Sequence, residues 1–164
     1  MTDRAISQAV AGGFHGGYSH MSLEDAVADF PAEHYNTWPR NVPYSFWHLL
    51  EHIRLTGHDL LAYTEADEYV EGEWPTAYWP ARDAIADEAA WQATIAGIQA
   101  IDSRFEEFAG GTLDSLVATA RHAGDRHDHT VIRSIRIQFQ HESYHLGEFG
   151  ILRQVEGLWP ADHT

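Results

Sequence analysis

Twelve histidines stand in a chain of 164 residues that contains no cysteine. Two of them form an H-x-x-x-H, His141-Glu-Ser-Tyr-His145, inside a stretch of helical apolar periodicity. Residues four apart stack on one helix face, so imidazoles at this spacing can chelate one borderline metal ion through ring nitrogen. On a helical wheel Val131, Ile135, Phe139, Leu146 and Phe149 centre the apolar stripe. His145 lies about 80° and His141 about 120° from that centre, on the same flank. Both border the core, where a partner helix can add ligands. The spacing alone leaves the alternative open, a structural or surface pair in a chain rich in histidine.

Glu142 falls near the middle of the same stripe. A buried carboxylate is costly unless it is paired, hydrogen-bonded or metal-bound. It reads either as a structural acid reaching Arg133, Arg136 or a backbone donor, or as a fourth ligand or the catalytic proton-transfer group beside a metal. Glu148, seven residues after His141, could orient a ligand imidazole from outside or be a solvated acid. A second pair four apart is His48 and His52. His52 lies about 120° from its own helix's apolar centre and is the inward candidate; His48, about 160° away, is expected at the surface. His58 is also about 120° off, but on the opposite flank, and is a weaker choice. His122, His127 and His129 cluster in an expected solvated loop, and His15 and His20, near glycine turns, are expected to be structural. The acidic residues between 65 and 73 read as solvated too.

Composition removes other chemistries. Without cysteine there is no disulfide, thiolate zinc site, iron–sulfur ligation or cysteine nucleophile. Ten basic residues, all arginine, against 25 acidic ones give a net charge of −15, which repels phosphate backbones and anionic lipid. No nucleic-acid or membrane partner is expected, and no apolar run approaches the roughly 20 residues of a membrane span. With no signal peptide read at the start, a cytoplasmic location is the expectation. No phosphate-binding glycine loop, dinucleotide fingerprint or nucleophile elbow is present. A di-iron carboxylate bundle needs two Glu-x-x-His pairs on different helices, and only Glu142-x-x-His145 qualifies, so a mononuclear site is favoured.

The elements that must position these residues read as helices in one domain spanning residues 1–164. A first helix covers residues 2–11, and a second piece capped by Ser22 runs over residues 23–30 to Pro31; the two are taken as one broken helix. Residues 45–63 carry Phe46, Leu49, Leu50, Ile53, Gly57, Leu60 and Leu61 on one face. Residues 83–108 form a third helix with Ile85, Trp91, Ile95, Ile98, Ile101, Phe105 and Phe108 inward, stopped by Gly110-Gly111. The last helix runs from Thr130 to about Val155 and ends at Gly157. Residues 112–129 connect these two with one helical turn over 113–117. The connection over 65–82 is long enough for a crossover, and its aromatics are expected to pack. No strand alternation appears; the fold class is all-α, a four-helix bundle.

Leu49-Leu50-Glu51-His52-Ile53-Arg54 on the second long helix and His141-Glu-Ser-Tyr144-His145-Leu-Gly147-Glu on the last resemble the DinB/YfiT-like superfamily of metal-dependent four-helix bundles. Further segments share the resemblance: Ser22-Leu-Glu-Asp-Ala-Val27, Ser45-Phe-Trp-His-Leu-Leu50, Tyr78-Trp79-Pro80, and Gly150-Ile-Leu-Arg153 through Leu158-Trp-Pro160. It implies an up-down-down-up bundle with the crossover between helices two and three. It also implies a metal triad of His52, His141 and His145. The implied cofactor is a divalent ion, zinc or nickel first. The implied activity is S-transfer or isomerisation with a low-molecular-weight thiol as co-substrate, or hydrolysis of a small-molecule substrate. The alternative is a non-catalytic metal-binding or stress-response bundle acting as a homodimer. Three positions depart from the family's pattern: Glu142 where a neutral residue is common, Glu148 where glutamine is common, and Tyr44 where histidine often stands.

Overall fold

A computed structural model describes residues 2–14 and 19–161; His15 lies outside the described residues. Six helices are present among them: α1 (Thr2–Ala11), α2 (Leu23–Val27), α3 (Phe46–Glu65), α4 (Glu88–Ala109), α5 (Leu113–Val117) and α6 (Val131–Val155). Extended structure among the described residues is one isolated bridge, Thr119 to Thr130.

The helix starts follow capping chemistry. Ser22, Ser45, Asp87 and Thr112 each have extended backbone, and each side chain accepts the amide hydrogen three residues on. α6 begins after Thr130 without a side-chain cap, and Gly157, at φ +68, follows its end. The turn expected over 113–117 forms with those limits.

Two expected helices are shorter than their periodicity suggested. The piece after Ser22 stops at Val27, with Asp29 in the left-handed region at φ 51. α4 starts at Glu88 rather than near 83, because Asp87 is the cap and Asn36 has taken the backbone just before it. The Asn36 amide donates to the Ala86 carbonyl at 2.8 Å and its oxygen accepts from the Ala86 amide at 2.8 Å. Ile85 therefore lies outside the helix and is 78% exposed, not in the core. The connection between α3 and α4 extends over residues 66–87.

α3 packs against α4 and α6, and α1 packs on α4. Leu49, Leu50, Ile53, Trp91, Ile98, Leu146 and Phe149 form one buried cluster; Ile101, Phe105, Leu116 and Ile135 form a second with Phe14. Arg153, fully buried, fastens α2 and the segment after α6 to that helix. It donates to the Ala26 carbonyl at 2.9 Å and the Leu158 carbonyl at 3.2 Å, with its guanidinium over Trp159 at 3.9 Å. Among the described residues no helix is long and apolar enough to cross a membrane.

Gly57 on α3 leaves room for the Gln138 side chain of α6 and for Ile101 of α4. A Cβ there would lie 2.9 Å from Gln138 Oε1 and 3.2 Å from Ile101 Cγ2. Gly57→Ala is expected to cost about 1–3 kcal/mol despite its better helix propensity, because overpacking outweighs propensity at a tight contact. Urea unfolding checks this; an unchanged or raised midpoint would contradict it.

Candidate metal centre

α3 and α6 meet with His52 facing His141 and His145. The three residues offer ring nitrogens that all lie within 4.8 Å of one another. His52 Nε2 and His141 Nε2 are 3.2 Å apart. His52 is buried, and the other two rings are half-buried.

The outer nitrogen of each ring, Nδ1, has a partner of its own. His52 Nδ1 donates to the Tyr78 carbonyl at 2.6 Å, an oxygen that can only accept. His145 Nδ1 donates to Glu148 Oε2 at 2.9 Å. His141 Nδ1 lies 3.3 Å from Thr56 Oγ1, whose own proton is directed at the His52 carbonyl, 2.7 Å away. Thr56 can then only accept from His141. Each Nδ1 thus has an oxygen to donate to, and a ring that donates from Nδ1 presents an Nε2 lone pair inward.

Burial is the main cause that lowers His52 to a pKa of about 4 and His141 to about 3, with the neighbouring imidazoles lowering both further. At neutral pH these rings are uncharged. With both Nδ1 protons donated outward the two Nε2 lone pairs face each other across 3.2 Å and suit a shared cation, whereas a proton on His141 Nε2 would bridge to His52 Nε2. Two nitrogens bound at about 2.0–2.1 Å with a near-tetrahedral angle stand roughly 3.3 Å apart, so the donor set fits a zinc-like divalent ion.

Aromatic rings and the 66–87 connection close the centre on one side. Trp79 lies flat on His52, centroids 3.9 Å apart and planes 6° from parallel, and Tyr44 stacks on Trp79 at 5.0 Å. The Tyr44 hydroxyl donates to Glu148 Oε1. Burial and that carboxylate hold the phenol above its ordinary pKa, so it remains a donor.

The other histidines distribute differently from their wheel positions. His48 is buried, not at the surface. Its Nε2 donates to the Ala81 carbonyl at 3.1 Å and its Nδ1 accepts from Ser45 Oγ at 2.6 Å, because the 66–87 connection covers a face that periodicity marked as polar. His58 is exposed. The loop holding His122, His127 and His129 is only partly solvated: His122 bonds the Ala66 carbonyl at 2.8 Å, and His129 Nδ1 accepts from the Tyr63 hydroxyl at 2.6 Å. His20 is half-buried against Phe139.

Glu142 is buried between the two α6 histidines in sequence but faces α4. Gln138 Nε2 lies 3.4 Å from its carboxyl and 3.3 Å from Asp102 Oδ1, and Asp102 is its charged neighbour, not Arg133 or Arg136. Desolvation, then Asp102, raises Glu142 to about 9, and desolvation raises Asp102 to about 6. Glu142 thus holds a proton at neutral pH. Thr56, Tyr78, Trp79 and Asp102 went unnoticed in the site reading of the sequence. Thr56 carried a signal, standing four residues after His52 on the same helix face, and Tyr78 and Trp79 stood in a segment that shares the family resemblance.

Against known proteins, the family model of the DinB superfamily matches residues 18–149, a span that includes all three histidines. No curated protein and no solved structure matches the chain.

Because the folded pKa of Glu142 lies above its unfolded value, its stabilising contribution is complete below about pH 4.5 and is lost as pH rises through about 9. Glu142→Gln keeps a neutral side chain of the same shape. In chelator-treated protein it is expected to gain about 1–3 kcal/mol over the parent at pH 9 and nothing at pH 4. Urea melts across that range check this; parallel pH profiles would contradict it.

Proposed function

The chain belongs to the DinB superfamily, and from the centre described above we propose that it is a metal-dependent enzyme with one divalent ion on His52, His141 and His145. Zinc or nickel is the first choice, and a small-thiol-dependent S-transferase or a hydrolase of a small molecule is the reaction class. The supporting observation is the convergence of three ring nitrogens with an oxygen partner at every Nδ1. Three protein donors leave a coordination position for a guest, as catalytic rather than structural sites do. An ion held there supplies Lewis acidity that lowers the pKa of a bound thiol or water.

The chain's own residues do the rest. Tyr78, Thr56 and Glu148 fix the ring orientations before any ligand arrives. Trp79 and Tyr44 wall one side and exclude water from it. Glu142, the sequence's candidate for proton transfer, faces α4 with Gln138 and Asp102 as its partners, so we give it no step at the ion. The scaffold we assign is the up-down-down-up four-helix bundle, with residues 66–87 as the crossover.

A second reading, a non-catalytic bundle acting as a homodimer, is favoured by one feature. Tyr144, Ile151 and Val155 form an exposed apolar stripe on α6, each about 70% exposed in a chain of net charge −15.

Untagged protein purified without chelator is expected to carry about one divalent ion per chain. His145→Ala is expected to lose that ion and all thiol-transfer activity toward a soluble electrophile, with its helical circular dichroism intact. Loss of helicity together with the ion would mark the site as structural. A full ion complement without activity against any thiol or ester substrate would favour the second reading.

A further inference from the structure

We infer that Glu148, held in place by Tyr44, is a specificity-determining residue: it makes the coordination position left by the three histidines favour uncharged ligands over anions. The inference rests on the metal-binding reading above and concerns a residue outside the ligand set.

Both oxygens of the Glu148 carboxylate are committed. Oε2 accepts from His145 Nδ1 at 2.9 Å and Oε1 accepts from the Tyr44 hydroxyl. The acid is therefore fixed as an outer partner of one ligand. Its side chain is only 26% exposed, so water screens its charge incompletely. Tyr44 is itself pinned by Trp79, which lies on His52. The carboxylate thus closes a chain of contacts from one ligand ring to another and has little freedom to swing away.

The charge count follows from the ligand set. Imidazoles that ligate through Nε2 contribute no charge, and Glu148 is the one anion bonded to any of the three among the described residues. No arginine pairs with it there. A divalent ion with this partner presents a net charge of +1 instead of +2. A fixed unit charge about 10 Å from an incoming anion, at an effective dielectric constant of about 20, changes its affinity roughly tenfold. A neutral guest feels little of this. Glutamine could accept the same Nδ1 hydrogen without the charge, so the acid's particular contribution is electrostatic.

The test uses the full-length chain loaded with cobalt(II), whose visible spectrum reports guests at the open position. Sodium azide is the anionic probe, and imidazole at pH 8 is the neutral one. Glu148→Gln is expected to bind azide about tenfold more tightly than the parent, with imidazole affinity within about twofold. Chelator competition is expected to show cobalt held about 10–100-fold less tightly by Glu148→Gln. If that variant folds poorly, as judged by apo-protein melting, Glu148→Met removes the charge at similar volume and is expected to shift azide in the same direction. Equal azide affinities in parent and charge-removed variants, or an equal gain for azide and imidazole, would overturn the inference while leaving the metal site standing. A parent that takes up no cobalt would overturn the metal site, and the inference with it.

Discussion

Two imidazole nitrogens facing each other across 3.2 Å are the constraint around which the centre is organised. Opposed lone pairs need compensation in a protein interior: the other neutral tautomer of one ring, a shared proton or a cation. Burial lowers the proton affinity of both rings, which makes a shared proton a poor answer at neutral pH. A third imidazole brings its nitrogen within 4.8 Å of the same region. The arrangement is organised for a cation before one arrives.

Holding it requires the scaffold to be rigid in particular places. α3 supplies His52 and, one turn later, the Thr56 hydroxyl that orients a histidine on the opposite helix. Gly57 leaves room for the Gln138 side chain of α6 at that level. The 66–87 connection contributes a backbone carbonyl and an indole face to His52, and a second carbonyl to His48. It is therefore part of the centre as well as a link between helices. The buried acid pair of Glu142 and Asp102 lies on the α4 side, where Glu142 remains protonated and adds no charge beside the rings at neutral pH.

The triad was legible because it uses residues whose type and helical spacing both carry information. His141 and His145 share a face by the i, i+4 rule, and His52 sits on the flank of a clear amphipathic stripe. Helix starts at Ser22 and Ser45 were legible through capping, and the short α5 through its boundaries. Less legible was whatever depends on how one element rotates against another. His48 looked solvent-facing because a wheel records only its own helix's apolar side, not a connection lying across the other. Asp102 gave no sign of meeting Glu142, since the facing of α4 and α6 is absent from either periodicity. The Tyr78 carbonyl is backbone, and no residue type announces it. The start of α4 moved by five residues because Asn36, far away in sequence, bonds the strand of chain ahead of it.

The account stands or falls on what coordinates the ion. X-ray absorption spectroscopy of the zinc- or nickel-loaded chain measures this directly. Three imidazole nitrogens at about 2.0–2.1 Å, with one or more lighter ligands completing the shell, are the predicted result. A shell dominated by carboxylate oxygen, or fewer than three imidazoles, would place the ion elsewhere on this acidic surface and contradict the account.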